Sequence, residues 1–463
     1  MLKPEALNEL IQVLGKENVI TDPDELLTYS YDATAAMPRQ TPDVFITPST
    51  TEQVAEVVKI ANKYNLPIYP RGSATNLSGG TIPIEKGIVM SMLHMNKIIE
   101  VDPENLTATV QPGVIIADLN NAAMEHGLFY PPDPGTVNTA TMGGSVAETS
   151  GGLRGLKYGV TKHYVMGMKL VRANGDIIKW GNKCVKNVTG YDLTALFTGS
   201  EGTLGIITEI LVKLNPMPEA RKSLLGVFDD IDKAGNAISA IIRNKVIPAT
   251  LEIMDNITIN TVENFSKAGL PTDAEAILLC EVDGYQEAVD REAAIVERIL
   301  KEEGAVEVNL AKTDEERDKI WFARRNALPA LAQLRPTTVL EDATVPRSKI
   351  PDMIKAVREI ANKYDLTIGT FGHAGDGNLH PTIVTDENDA EEMKRVEKAV
   401  DEIFEIAVSL GGTLSGEHGV GMAKAKYLPL EFGEAGVQLL RDIKEACDPN
   451  YLLNPGKIVQ RRD

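Results

Sequence analysis

The chain has 463 residues, 43% hydrophobic and 24% charged, with 38 glycines and 25 prolines spread along it; that is longer than one core sustains, so two or three domains are expected. A net charge of −19 argues against nucleic acid or anionic lipid as partners, because both need basic patches. No apolar run reaches the roughly 20 residues needed to cross a bilayer.

The first stretch, MLKPEALNELIQVLGKENVI, has the pattern of an amphipathic helix with acidic residues rather than of a signal peptide, so a cytoplasmic protein is expected. Residues 1–35 read as helical. TPDVFITPST then leads into a strand and the helix TTEQVAEVVKIANKYN, followed by the strand LPIYP and the loop RGSATNLSGG. The strand GIVMSML precedes KIIEVDPENLTATVQPGVI, which reads as two strands joined at Asp102-Pro103-Glu104-Asn105. After the helix IADLNNAAMEHG comes the glycine-rich PPDPGTVNTATMGGSVAETSGGLRGLKYG. Strands resume in VMGMKLVRANGDIIKWG, whose Ala173-Asn174-Gly175-Asp176 predicts a hairpin turn.

LFTGSEGTLGIITEILVKL closes this first α/β region, and NPMPEARK (215–222) marks its boundary. Beyond it, the helices DKAGNAISAIIRN and QEAVDREAAIVERILKEEG alternate with the strands KSLLGVFDD, EAILLCEVDG and AVEVNLA. That order predicts an antiparallel sheet with helices on one face. The segment from about Gly411 carries GEHGVG, helices and a terminal NPGKI. The expected division is therefore residues 1–216, 217–410 and a closing segment, 411–463, that completes the active site and the first domain. One internal echo stands out: VVKIANKYNLPIYPRG is matched by AVREIANKYDLTIGTFGH. Cys184, Cys280 and Cys447 form no CxxC pair, which argues against an iron–sulfur cluster or an all-cysteine zinc site and fits a reducing compartment.

The loop Pro70-Arg71-Gly72-Ser73-Ala74-Thr75-Asn76 follows a strand end and is dense in small residues, so its backbone N–H groups can form a nest for a pyrophosphate. Gly143 to Gly159 holds six glycines in 17 residues, more than turns require, and implies close approach of backbone to a flat or phosphorylated ligand. Neither loop is the GxGxxG of a nicotinamide-binding unit, and the GxxxxGK[ST] pattern is absent.

Together, YPRGSATNLSGG, GGSVAETSGGLRGLKYG, TGSEGTLGI and LLNPGKI resemble the FAD-binding domain of the vanillyl-alcohol oxidase (PCMH-type) flavoproteins. Within that superfamily, GHAGDGNLH and GEHGVG resemble the D-2-hydroxy-acid dehydrogenases, among them the glycolate oxidase flavin subunit and D-lactate dehydrogenases. The resemblance runs from about residue 40 to 458 with its motifs in family order. It implies an α+β protein: a two-part FAD-binding domain, an antiparallel-sheet substrate (cap) domain, and a C-terminal segment returning to the FAD domain. It also implies FAD against Pro70–Asn76, Gly79, Asp133, Pro134, Thr141, Gly143, Gly144, Ser150, Gly151, Gly152, Gly155, Tyr158, Gly159, Glu201, Gly202, Ile207 and Asn454. Some members attach the flavin through a histidine in the first loop. Ser73-Ala74-Thr75 stands there in this chain, so the FAD is expected to be non-covalent.

Two of the six histidines, His373 and His380, bracket the turn of FGHAGDGNLH. With Asp376-Gly377 as a two-residue turn centre, the two stand directly opposite each other on one face. Their Cβ atoms are then roughly 4.5–5.5 Å apart, close enough to share one ion. Glu417-His418 in GGTLSGEHGVG adds a carboxylate and a third histidine in another glycine-set loop. The family pattern puts His373, His380 and Glu417 on a divalent metal and leaves His418 free. Ligand softness allows Zn²⁺, Fe²⁺ or Mn²⁺.

On this pattern the metal acidifies the hydroxyl of a 2-hydroxy acid, and His418, with histidine's ordinary pKa of about 6.5, acts as general base. WFARRNALPAL supplies Arg324, on the family's W-x-x-R position, for the substrate carboxylate. Family members with larger dicarboxylate substrates carry extra polar and basic residues after this helix; the mostly apolar and acidic TTVLEDATVPRS therefore implies, through the resemblance, a small substrate, D-lactate or glycolate, while Lys424 and Lys426 read as surface charges. With no nicotinamide fold and no cysteine cluster, electrons are expected to leave to electron-transfer flavoprotein, an iron–sulfur subunit or a quinone, oxygen being a further acceptor. An FAD subunit of a glycolate oxidase complex with an iron–sulfur partner is one alternative; a metal hydrolase and a non-catalytic or FAD-only subunit of an electron-transfer complex are the competing readings. The hydrolase leaves the glycine loops unexplained, and the non-catalytic or FAD-only subunit has no need of the paired histidines.

Overall fold

Thr50 accepts the amide of Gln53 and caps the helix Thr51–Tyr64, whose Val54, Val57, Val58 and Ala61 form one buried stripe. In the computed structural model, which describes residues 2–461, this helix belongs to the first of two units. That unit comprises Met1–Ser150, Val160–Met217 and Glu417–Asp463; the second comprises Gly151–Gly159 and Pro218–Gly416.

The first unit holds a four-stranded sheet in the order Val19–Ile20, Val44–Ile46, Ile88–Ser91, Ile68–Arg71. Its last two pairings are parallel, as expected where a helix returns the chain between strands. Val44, Ile46, Ile68, Ile88 and Met90 share a core with Leu10, Val57, Val58 and Leu453. Leu453 arrives from the C-terminal segment, where Asn454 N–H donates to Ile68 O at 2.7 Å. A five-stranded antiparallel sheet runs Ile98–Asp102, Thr107–Val110, Ile206–Lys213, Val165–Val171, Ile177–Gly181. The expected turns at 102–105 and 173–176 both join neighbouring antiparallel strands in it. The continuous helical reading of residues 1–35 does not hold. Gly15, at φ +86°, ends the helix Pro4–Leu14, and Val19–Ile20 is a strand before the short helix Pro23–Leu26.

The second unit is built on an eight-stranded antiparallel sheet. Its strands run Glu307–Leu310, Ala220–Phe228, Ala276–Gly284, Thr250–Asp255, Thr367–His373, Asn378–Thr385 and Thr337–Leu340, with Ala343–Thr344 also on Asn378–Thr385. Helices cover both faces rather than the expected one. Leu225, Ile277, Met254 and Phe371 pack against Ile259 and Val262 and against Ala323, Ala327 and Leu331. On the opposite face the Cβ-less Gly226 lies under Leu300 of the helix Gln286–Glu302. Two covered faces explain why every residue of Thr250–Asp255 is buried; a strand open to water on one side would alternate.

Candidate functional site

The His373–His380 hairpin forms, with a different register from the expected one. Phe371 pairs with His380 and His373 with Asn378, so Ala374–Gly377 form a longer turn than the Asp-Gly pair alone. The amides of Asp376 and Gly377 both donate to His373 O, at 3.2 and 3.0 Å, and Gly377 takes φ +90° against Val345 O. Gly375 N–H donates to Leu251 O at 2.9 Å, tying the turn to the neighbouring strand. Displacing a partner by two residues preserves the face of a strand, whereas displacing it by one would invert it. The histidines are therefore diagonal neighbours on one face, both buried, with ring centroids 5.2 Å apart and planes at 88°.

On the same face lies a residue absent from the expected set. Continuing the pairing of Ile253 with Gly372 and Met254 with Phe371 brings Glu252 opposite His373. The fully buried carboxylate of Glu252 meets His373 Nδ1 through Oε1 at 2.8 Å and Arg324 Nη2 through Oε2 at 2.5 Å. Burial alone would raise the Glu252 pKa; the charge of Arg324 and the contact with His373 outweigh it and hold the carboxyl below its ordinary value. The signal was present in ATLEIMD, where an ionisable residue interrupts apolar ones in a strand.

Thr313 caps the helix Asp314–Arg325, which carries acidic residues in its first turn and both arginines in its last, as its dipole favours. Arg324 points inward and is 5% exposed, while Arg325 is exposed. The Arg324 guanidinium lies 4.8 Å over the Phe371 ring, and its Nε is buried with no hydrogen-bond acceptor among the described residues. Asp342, also fully buried, has Oδ1 3.9 Å from His380 Nδ1 and accepts the Ser415 hydroxyl at 2.7 Å. Two buried imidazoles on one face, one of them backed by a carboxylate, suit a divalent ion of borderline softness. Glu417 follows Gly416 directly in the chain, and Gly416 is pressed so closely on Thr344 and Asn378 that a Cβ there would strike both.

In the first unit, the loop after strand Ile68–Arg71 is held by a segment that sequence alone did not single out. Asp32 accepts the Asn76 amide at 2.8 Å and the Thr81 amide and hydroxyl at 3.2 Å, and Thr34 accepts Gly79 N–H at 2.7 Å. Ala74 adopts φ +55°, Ser73 donates to Thr139 O, and a Cβ on Gly72 would meet the Thr141 hydroxyl. Gly202, at φ +69°, lets Pro70 come within van der Waals contact. Buried oxygens of Asn76, Ser78, Glu148 and Asn454 have no hydrogen-bond partner among the described residues. A loop shaped by Gly72, Gly79 and Gly202 and lined by polar atoms without partners fits the polar part of an FAD.

Of the other expected cofactor residues, Thr141 caps the helix Met142–Glu148, Gly143 leaves no room for a Cβ against Pro112, and the Ser150 hydroxyl joins those of Ser145 and Thr161. Asp133 and Ile207 are buried. Gly151, Gly152, Gly155, Tyr158 and Gly159 belong to the second unit. There Asp283 accepts Lys157 Nζ and, at 2.7 Å, the Tyr158 hydroxyl.

GEHGVG is shaped by Glu201. Its carboxylate accepts the amides of Val420 and Gly421 at 2.6 and 2.7 Å, and Asn454 Nδ2 donates to Glu201 O at 2.7 Å. Burial pushes the Glu201 carboxyl up to about 7 against the opposing pull of those two amides, Lys424 and Lys457. Glu148 is held well above the usual range by burial and by the charges of Glu201 and Asp32. Lys424, expected on the surface, is instead buried as the cation facing this pair; Lys426 is exposed as expected. Glu417 and His418, half-buried, open the unit's last segment just before this anchor.

Comparison with known proteins agrees with both halves. The FAD binding domain family matches residues 42–181, and the family of FAD linked oxidases, C-terminal domain, matches residues 217–458. The chain is 53% identical over 461 residues to the glycolate oxidase subunit GlcD of Bacillus subtilis (strain 168), covering 100% of this chain and 98% of that one. It is 40% identical to GlcD of Escherichia coli (strain K12), covering 96% and 89%, and 36% identical to a D-lactate dehydrogenase of Anaerostipes hadrus, covering 99% and 98%. In fold it matches p-cresol methylhydroxylase at TM-score 0.80 and 21% identity, over 98% of this chain and 96% of that one. Alkyldihydroxyacetonephosphate synthase matches at 0.77 and 21%, over 98% and 86%. With both family matches in place and full-length relatives at such identity, the chain belongs to the glycolate oxidase subunit GlcD and D-lactate dehydrogenase family of FAD-linked oxidoreductases, on a PCMH-type fold.

Proposed function

We propose that the protein oxidises a small D-2-hydroxy acid, D-lactate or glycolate, to the 2-oxo acid, with non-covalent FAD and a divalent metal held by His373, His380 and Glu417. The observation that carries the metal is the buried pair of perpendicular imidazoles on one sheet face, one of them backed by Glu252. FAD, when bound, supplies the acceptor for the C2 hydride equivalent, and a divalent ion the Lewis acidity that weakens the C2 O–H bond.

The chain's own residues do the rest. His418 takes the hydroxyl proton at a ring nitrogen. Arg324, whose Nε is buried with no acceptor among the described residues, binds the substrate carboxylate there while Nη2 stays on Glu252. In this scheme residues 1–216 bind FAD, 217–410 cap the substrate, and 411–463 bring Glu417 and His418 to the site. With all three cysteines free, the protein suits the reducing cytoplasm. Two of the relatives are named as subunits, which supports electron delivery to a partner protein, electron-transfer flavoprotein or an iron–sulfur subunit.

An anaerobic absorbance titration with D-lactate, L-lactate, glycolate and D-2-hydroxyglutarate tests the proposal. Bleaching of the flavin band by D-lactate or glycolate is expected, with L-lactate inert. His418→Ala should keep FAD and metal and lose bleaching. No bleaching of the wild-type protein by any of the four would sink the assignment.

A further inference from the structure

Resting on the reading of His373 as a metal ligand, the geometry points to Glu252 as its positioning residue. Clamped from behind by Arg324, Glu252 fixes the His373 ring so that Nε2, not Nδ1, is offered to the ion.

Three observations within the second unit support this. First, Glu252 divides its oxygens: Oε1 lies 2.8 Å from His373 Nδ1 and Oε2 lies 2.5 Å from Arg324 Nη2. With Oε2 taken up by a guanidinium that can only donate, Oε1 is left as the acceptor, and the hydrogen in the first contact belongs to Nδ1. A neutral imidazole has one N–H, and placing it on Nδ1 leaves the Nε2 lone pair for a cation. Second, the arrangement is expensive unless it serves something besides folding. An arginine–glutamate pair this deeply buried usually adds no stability over apolar residues of the same volume. The side chains of Arg324 and Glu252 are 6% and 0% exposed, and Met254, Leu279, Ala323 and Phe371 belong to the apolar core on this face. Third, the contact is aligned by the sheet itself. Glu252 and His373 face each other across neighbouring strands, so the carboxylate reaches Nδ1 without a loop to position it.

Arg324 thereby has a role that does not depend on substrate. It holds Oε2 of Glu252, and through it the orientation of His373. Glu252 touches neither substrate nor ion and acts only through the histidine. A carboxylate behind a metal-bound imidazole typically changes metal affinity by about 10- to 100-fold.

The test uses the full-length, FAD-loaded protein after EDTA treatment, titrated with Mn²⁺ and followed by loss of the free-ion EPR signal. Glu252→Gln keeps the shape but not the charge, and should raise the Mn²⁺ dissociation constant by about tenfold or more. The pair Glu252→Met with Arg324→Met removes both charges together, and so guards against misfolding from a single uncompensated ion. It should melt close to wild type, retain FAD, and weaken Mn²⁺ by about 10- to 100-fold. Arg324→Lys, which keeps a cation on Glu252, should stay within about threefold of wild type. A purely structural role for Glu252 predicts a lower melting temperature with unchanged Mn²⁺ affinity in those variants that fold. That result, in protein where His373→Ala has lost Mn²⁺, overturns the positioning role while leaving the metal site standing. If His373→Ala itself binds Mn²⁺ as wild type does, the metal reading fails and this proposal falls with it.

Discussion

Glu252 in the second unit and Glu201 in the first are both fully enclosed glutamates near a histidine motif, and they titrate in opposite directions. Glu252 stands between Arg324 and the His373 ring, and these partners overcome the cost of burial and keep it ionised. Glu201 has two backbone amides and the charges of Lys424 and Lys457, but burial prevails, and its carboxyl rises to about 7. Burial sets the size of what must be compensated, and the nearest formal charge decides the outcome. The first arrangement makes a fixed anion, suited to orienting an imidazole. The second makes a carboxyl that changes state near neutral pH while holding the Val420 and Gly421 amides.

The largest effect should come from breaking the first arrangement. Arg324→Met strips Glu252 of its cation and should cost about 3–5 kcal/mol in urea unfolding, most of it recovered when Glu252→Met is added. A single-mutant loss under about 1 kcal/mol would show that Arg324 is not what keeps Glu252 ionised.

A smaller effect follows from the second. The folded Glu201 pKa of about 7 lies above its unfolded value, so its contribution to stability is complete in acid and lost as pH rises through 7. Wild type should therefore lose stability against Glu201→Gln by on the order of 2 kcal/mol between about pH 5 and pH 8. A flat difference across that range would contradict the assignment. Glu252 carries the reverse sign, because its lowered pKa makes a contribution present at neutrality and lost only in acid. Smallest of the three, Glu148→Gln should leave the Glu201 transition near pH 7, because burial is what raises it, as read from the same unfolding series. A shift of about one unit or more would mean that a charged Glu148 contributes to it.

Much of the candidate site was legible because its signals are local. Gly72, Gly79 and Gly202 stand where a Cβ would collide or where φ is positive, and glycine announces such places from one residue. That HAGDGNLH turns back on itself was equally plain. The register was not, because contacts outside the hairpin lengthened its turn: Gly375 bonds to Leu251, and Gly377 packs against Val345. Nor could Asp32, the partners of Glu252 or the burial of Lys424 be read off. Each is an ordinary charged residue until a distant segment arrives beside it.

The repeated phrase in the sequence makes the division concrete. IANKYNL and IANKYDL each end a helix, and in each the next residue, Asn65 at φ +53° or Asp365 at φ +51°, turns left-handed. In each the following leucine amide returns to an alanine carbonyl, Ala61 or Ala361, at 2.9 Å. Even the surface contacts repeat, with Lys63 and Tyr64 on Glu9 and Lys363 and Tyr364 on Glu402. Yet the strand after the first helix joins a parallel ladder with Ile88–Ser91, and the strand after the second an antiparallel one with Asn378–Thr385. Caps, turns and glycine cradles involve atoms a few residues apart, so the sequence by itself determined them. Ladder sense, register and the charge state of buried carboxyls depend on which distant atoms fill the space around them, and that only the tertiary structure decided.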